Sequence, residues 1–270
     1  MLKTEIRNPK TTHIDKMSSL EIAKIMSKEN IVAIKAVDSQ CEQVSKAIDA
    51  VANAFSKDGR LIYMGAGTSG RLGIIDAAEC PPTFGVPQGK VVGIIAGGYD
   101  RLVKAGEGDE DRGELGINDL KNLNLTNDDI VVGVSAAGGA AYVIDGLNYA
   151  KSLGCITVGI TSNSGSPLDT VADISICPDT GAEVVTGSTR LKAGTSQKLI
   201  LNMISTGAMI KSGYVYENLM INLKPSNKKL RNRVIGIVME LTGKNATEAE
   251  KSLVANDWKI RPAVDCLKSE

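Results

Sequence analysis

The sequence predicts an α/β protein built on a doubly wound, five-stranded parallel sheet. Three observations carry this. First, five short apolar runs follow residue 59: "RLIYMGAG", "KVVGIIAGG", "DIVVGVSAAGG", "CITVGITSNSG" and "DISICP". Second, helical stretches separate most of them, the pattern of a parallel sheet covered on both faces. Third, 270 residues, 43% hydrophobic and 23% charged, can bury a full core in one large domain or in one plus a small appendage.

The elements read in order. The N-terminal "MLKTEIRNPKTTHIDKM" is polar and contains Pro9, unlike a signal peptide. Residues 18–56 read as two helices with apolar residues at three and four spacing, and Ser18 or Ser19 can cap the first. Residues 1–50 are therefore expected to pack on the core as an N-terminal segment with helices, and 51–214 to form the sheet domain. A long helix is expected over 188–213. Residues 226–270 read as a small C-terminal region of two or three helices with no strand. In a sheet wound 2-1-3-4-5, the loops after strands one and three face each other across the switch point, which is where such sheets bind ligands. Here those loops are 65–70 and 135–141, both rich in glycine.

"GAGTSG" at 65–70 matches GxGxxG between a strand and a helix. A dinucleotide site also needs a ribose-binding acid at the end of the next strand, but that strand ends "IIAGGYD", with Asp100 too far on. This disfavours a nucleotide-dependent oxidoreductase. Backbone N–H groups of Gly67 and Gly70, with the hydroxyls of Thr68 and Ser69, suit a single phosphate monoester at a helix N-terminus. A tight turn with a Ser/Thr cap explains the same residues without a ligand. Downstream, Glu79 precedes Pro81 and Pro82, which should stop the helix. Among Ala77, Ala78 and Cys80 it is either an exposed helix-end residue or a partly desolvated proton donor with a raised pKa. The run "AGEGDEDRGE" at 105–114 holds Glu107, Asp109, Glu110, Asp111 and Glu114. By pattern it is a solvated loop or a helix start, and its spacing is not that of a calcium loop. "TGSTRLKAGT" at 186–195 puts Ser188 and Thr189 at the expected start of the long helix, with Arg190 and Lys192 behind, as caps or as a second anion contact.

Charge and cysteine usage exclude several classes. The 31 basic and 31 acidic residues cancel, so nothing in the balance argues for nucleic acid or an anionic membrane. No apolar run approaches the ~20 residues of a membrane helix. The five scattered cysteines form no CxxC, which argues against a disulfide framework or zinc site and for a reducing cytoplasm. His13 is the single histidine and is expected at the surface, so acid–base chemistry falls to carboxylates.

Together, "TEIRNP" (4–9), "GRLIYMGAGTSGRLGIIDAAECPPTFG" (59–85), "IAGG" (95–98), "GEGDED" (106–111), "TSNSGSPL" (161–168) and "TGSTRLKAGTSQKLILNM" (186–203) resemble the N-acetylmuramic acid 6-phosphate etherases. These are lyases with a sugar isomerase (SIS) domain. The resemblance spans nearly the whole chain. It implies an SIS-type sheet and cleavage of the D-lactyl ether of N-acetylmuramic acid 6-phosphate, giving N-acetylglucosamine 6-phosphate and D-lactate. The route is β-elimination followed by water addition, with no metal or cofactor. By the same resemblance Glu79 acts as an acid on the lactyl ether and Glu110 is the second catalytic carboxylate. It implies a cytoplasmic homodimer with its site near the subunit interface, and a site that includes Gly67, Thr68, Ser69, Gly70, Ser135, Ser188 and Thr189.

One loop departs from the family. Where the family reads close to "ASGRTPYV", residues 136–143 read "AAGGAAYV". Two hydroxyls and a cation are missing, Ser135 stands just upstream, and glycine and alanine by themselves fix little of the loop's conformation. The alternative this raises is a non-catalytic sugar-phosphate regulator, like the glucokinase regulatory proteins that share the "GTSGR" loop.

Overall fold

The computed structural model describes residues 2–106, 108–223, 225 and 227–269. The chain divides into two compact units. One comprises the residues up to Ala78 together with Gly89–Ala208; the other comprises Glu79–Gln88 and the chain from Met209 on.

The first unit is built on five parallel strands: β1 (Leu61–Gly65), β2 (Val91–Ile95), β3 (Ile130–Val134), β4 (Ile156–Ile160) and β5 (Ile174–Ile176). Their order is β2-β1-β3-β4-β5, as expected. β1 and β3 are buried along their whole length, which is why they read as continuous apolar runs. The register aligns Gly65 with Ile95 on one side and Val134 on the other, so the β1, β2 and β3 loops leave one edge of the sheet together.

The connections are helical. α1 (Ser19–Asp38) starts at Ser18, whose side chain accepts from the Glu21 N–H while Glu21 bonds back to Ser18. α2 (Cys41–Ser56) follows, and then α3 (Gly67–Phe84), α4 (Gly113–Asn122), α5 (Ala141–Ser152), α6 (Pro167–Val171) and α7 (Lys192–Lys211). Two helix ends differ from expectation. α3 does not stop before Pro81 and Pro82 but runs on to Phe84. Each proline lacks the N–H that would donate to the carbonyl four residues back, so two bonds are absent near the end of α3, yet the helical path continues and the Gly85 N–H reaches the Pro81 carbonyl at 2.9 Å. α7 begins at Lys192 rather than at Ser188. Its cap is the Glu183 carboxylate, which is fully buried and accepts from the backbone N–H groups of Lys192 and Ala193, both at 3.0 Å. A carboxylate at this position satisfies free donors and the helix dipole together.

A buried ion cluster ties the N-terminal segment to this unit. Glu29 on α1 accepts from Lys192 Nζ (2.8 Å), Lys10 Nζ (2.8 Å) and Asn8 Nδ2 (3.0 Å). Glu29 and Lys192 are each 2% exposed. Lys192 is thus a structural cation and not the anion contact its place in "TRLKAGT" allowed. Burial alone would raise the Glu29 pKa, but the hydrogen bonds from Lys10, Lys192 and Asn8 outweigh it and bring the value down to about 2.

The second unit contains the end of α3, a hairpin of β6 (Val215–Tyr216) and β7 (Leu219–Met220) that the sequence did not announce, and three helices: α8 (Lys228–Thr242), α9 (Ala246–Ala255) and α10 (Ile260–Ser269). Val234, Val238, Ala249, Leu253, Ile260 and Ala263 form its core. Gly85 is required here: its φ is +70°, and a Cβ would lie 1.8 Å from the Asn222 carbonyl oxygen. Among the described residues no helix is long and apolar enough to cross a membrane, all five cysteines are free, and His13 is exposed.

Lys192→Met removes the buried partner of Glu29 and leaves only the exposed Lys10 as counter-charge; it is expected to cost about 3 kcal/mol, the low end for a broken buried pair, in chemical denaturation. Because the folded pKa of Glu29 lies below its unfolded value of 4.5, its contribution is complete above that pH and is lost as the pH falls towards 2. Glu29→Gln should accordingly flatten the acid limb of the stability curve.

Candidate active site

α3 opens at Gly67, whose φ of +52° lets the chain turn directly from β1 into the helix. Gly70 is excluded from carrying a side chain, since a Cβ there would lie 2.6 Å from the Gly65 carbonyl oxygen and from Ile95. It serves close packing of helix on sheet. A cleft of 270 Å³ lies at this end of α3, lined by Ala66, Gly67, Arg71, Arg101, Asp109 and Glu110 among others. It joins the expected phosphate loop to the acidic loop, two segments about forty residues apart.

The acidic loop is shaped by its partners. Asp109–Asp111 form a single 3-10 turn entered through Gly108 in the left-handed region. Arg101 Nε donates to Asp109 Oδ2 at 2.6 Å. A Cβ on Gly97 would meet that same Oδ2 at 2.3 Å, and one on Gly106 would lie 2.2 Å from Arg101 Cζ, so both glycines make room for the pair. Arg71 donates from Nε to the Leu102 carbonyl (2.9 Å) and from Nη2 to the Arg101 carbonyl (2.6 Å). Glu110 is exposed at the cleft; Glu107 lies outside the described residues.

The other expected site residues are distributed more widely. Thr68 lines a separate groove of 290 Å³ with Leu72, Arg190, Thr195 and Lys198. Ser69 is buried, and its hydroxyl donates to Gln197 Oε1 at 3.0 Å. Ser188 and Thr189 stand in the turn before α7, their N–H groups bonded to the carbonyls of Val185 and Gly187. Glu79 is exposed and belongs to the second unit. Its apolar neighbours do not bury it within this chain.

The loop after β3 is ordered despite its composition. Ser135 Oγ accepts from the Gly138 N–H at 3.2 Å. The Ala136 carbonyl accepts from the Ser162 N–H (3.0 Å) and Asn163 Nδ2 (2.9 Å), and the Gly138 carbonyl from the Leu168 N–H (3.0 Å). Gly138 has φ +77°, and a Cβ would lie 2.1 Å from Ser166 Oγ. Tyr142, fully buried, anchors the following helix through its hydroxyl to Asp119 Oδ2 at 2.7 Å; burial and that carboxylate both raise its pKa.

Arg71 and Arg101 were not singled out by sequence. Arg71 sits four residues after Gly67 and so shares its helix face, a signal that was available. Arg101 carried none.

The cleft lies between the loops that follow β1 and β2, and no residue of the β3 loop 135–141 lines it, so it is not the β1/β3 switch-point crevice that the sheet order led one to expect. The open parallel sheet with its glycine-opened helix is that of an SIS domain. Residues 116–206 match the SIS domain family, and residues 43–151 match the glucokinase regulatory protein N-terminal SIS domain. The fold is also that of a phosphoheptose isomerase from Francisella tularensis, at TM-score 0.56 and 16% identity over 71% of this chain and 98% of that one. It is likewise shared with the Vibrio vulnificus NanR protein complexed with ManNAc-6P, at TM-score 0.52 and 14% identity over 83% and 71% of the two chains. Over nearly its full length the chain is 52% identical to the N-acetylmuramic acid 6-phosphate etherase of Cronobacter sakazakii, covering 97% of this chain and 89% of that protein. It is 51% identical to the Clostridium beijerinckii etherase over 100% and 88%. The chain belongs to the N-acetylmuramic acid 6-phosphate etherase family.

The start of α5 lacks a cap. Ala140 occupies the N-cap with extended backbone (φ −64°, ψ 112°) and no side-chain bond, and Ala141 is the first helical residue. Ala140→Thr supplies the missing acceptor, and Ala141→Pro suits the first position of a helix. The pair is expected to add about 1–2 kcal/mol to stability in thermal or denaturant unfolding.

Proposed function

We propose that this chain is a lyase that converts N-acetylmuramic acid 6-phosphate and water to N-acetylglucosamine 6-phosphate and D-lactate. The observation that carries this reading is identity above 50% with etherases over 97% or more of the chain. The cleft that puts Glu110 beside Gly67 agrees with it. Nothing favours the regulator: it shares the domain, but the full-length relatives described above carry the etherase name.

The chemistry needs two proton carriers. A lactyl ether at C3 leaves slowly on its own. Opening of the sugar to its aldehyde makes the C2 proton acidic. Glu110 removes that proton, the C3–O bond breaks, and Glu79 protonates the departing lactyl oxygen. Water then adds at C3 of the unsaturated aldehyde and a proton returns to C2. This reading requires no metal or cofactor: two carboxylates, one as base and one as acid, divide the work.

We assign the Glu79 and Glu110 of one site to two different copies, in a homodimer whose sites lie near the subunit interface, as the family resemblance implies. Thr68, Ser69, Gly70, Ser135, Ser188 and Thr189 remain candidates for the sugar phosphate, with Ser69 having first to exchange its bond to Gln197. Residues 51–214 are read as the sugar-phosphate domain and 226–270 as its appendage; Met1, Ser226 and Glu270 lie outside the described residues. The cytoplasm supplies the reducing setting that five free cysteines suit.

Glu79→Gln and Glu110→Gln should each lower D-lactate release by ~10²–10⁴. Mixing and reassembling the two inactive variants should then recover activity that neither has alone, because one site of each mixed dimer keeps both carboxylates. No recovery from mixed dimers of demonstrated composition would mean that both act within one copy. Near-unchanged release by either variant removes that residue from the mechanism.

The altered loop generates a second test. Gly139 has open space around its Cβ position. The set Ala137→Ser, Gly139→Arg, Ala140→Thr and Ala141→Pro adds donors to the β3 loop, and a hydrogen bond to a charged group is worth ~1.5–3 kcal/mol. It should lower KM for the phosphorylated sugar and do less for an unphosphorylated analogue. Equal binding before and after would show that this loop does not grip the phosphate.

A further inference from the structure

Glu110 is exposed, on a short turn, in a loop with four glycines between residues 97 and 108. Such a residue has no fixed address unless something outside the loop supplies one. The structure supplies it in three links. Arg71, one turn into α3, spends two guanidinium N–H groups on the backbone carbonyls of Arg101 and Leu102. Arg101 in turn donates to Asp109, the residue immediately before Glu110. Gly97 and Gly106 leave the space in which that ion pair closes. All three links run along the wall of one cleft, from its Gly67 end to its Glu110 end.

We propose that Arg71 is a positioning residue, which acts through Arg101 and Asp109 to set the distance between the N-terminus of α3 and the Glu110 carboxylate. This rests on the reading of Glu110 as the base at C2. Its side chain is turned to the two carbonyls, so its part is to hold the acidic turn against the helix that carries the glycine loop. A bidentate donor suits that task better than an ammonium, because two carbonyls one residue apart fix both direction and rotation. Asp109, by pattern one acid of a solvated loop or helix start, becomes the anchor of the turn. The consequence for the reaction is geometric. A base displaced by about 1 Å loses roughly 10² in rate, while binding of the sugar phosphate elsewhere in the site is untouched.

The test is a double-substitution cycle read by D-lactate release. Arg71→Ala should lower kcat by about 10²-fold, with KM and the affinity for N-acetylglucosamine 6-phosphate near those of the unsubstituted chain. Arg71→Lys should recover part of the loss, and serves in its place if the alanine variant melts early. Asp109→Asn, which weakens the same link from the other end, should show the same split between kcat and KM. In a Glu110→Gln background, Arg71→Ala should cost nothing further, since it acts through the group already removed. The same fold-loss in that background overturns the proposal, as does a parallel loss of product affinity, which would place Arg71 on the ligand anion. Full activity of Glu110→Gln by itself overturns the underlying assignment and is seen without any change at Arg71.

Discussion

Asp76 fixes the direction of α3, and the candidate site depends on that direction. It is 6% exposed and accepts from three donors: Tyr63 Oη on β1 at 2.8 Å, Asn202 Nδ2 on α7 at 2.5 Å and Ser205 Oγ on α7 at 3.2 Å. A buried carboxylate is tolerated only when hydrogen bonds replace its water, and here they come from a strand and a neighbouring helix. The strand end, the helix start and the last helix of the sheet domain are thereby held in one frame. Within it Gly67 opens the cleft, Ser69 meets Gln197, and Arg71 reaches the carbonyls of the β2 loop.

The same economy governs the start of α7. Glu183 caps the helix and Glu29 neutralises its first side chain, so the chain spends two buried carboxylates on one helix terminus. The effect is to tie the N-terminal segment, α1 and the "TGSTRLKAGT" stretch to a single point. The hydroxyls of Ser188 and Thr189 are released from capping by this arrangement and stand in a turn of their own, beside a groove that Thr68 and Arg190 share.

Much of this was legible in the sequence, for identifiable reasons. β1 and β3, buried throughout, appear as uninterrupted apolar runs, and the less buried β2, β4 and β5 as short apolar runs too, so all five strands were visible and their alternation with helices implied a parallel sheet. Of the two possible caps of α1, Ser18 or Ser19, the structure uses Ser18, with Glu21 completing a capping box. The end of α3 was misjudged because Pro81 and Pro82 remove two backbone bonds without ending the helix, which runs on only to Phe84. The cap of α7 was misjudged because Glu183 is nine residues before the N–H it binds, outside any local capping pattern. Arg71 escaped notice because its partners are backbone carbonyls, which leave no trace in residue identity, and Arg101 because no local pattern ties it to Asp109 eight residues on. Glu79 stood out as a candidate by its place before the two prolines, whereas Glu110 was one acid of a run, and the roles of both came only from resemblance to a family. No spacing in the chain distinguishes Glu110 from Asp109 or Asp111.

A glycine-opened helix, an acidic turn held against it and a second carboxylate farther down the same helix form a coherent machine only if a proton leaves C2. The most direct measurement is therefore to run the reaction in heavy water with N-acetylmuramic acid 6-phosphate and examine the N-acetylglucosamine 6-phosphate formed. Elimination and water addition predict deuterium at C2 of the product alongside the released D-lactate. Product carrying only protium at C2 would contradict the mechanism, whichever residues were involved.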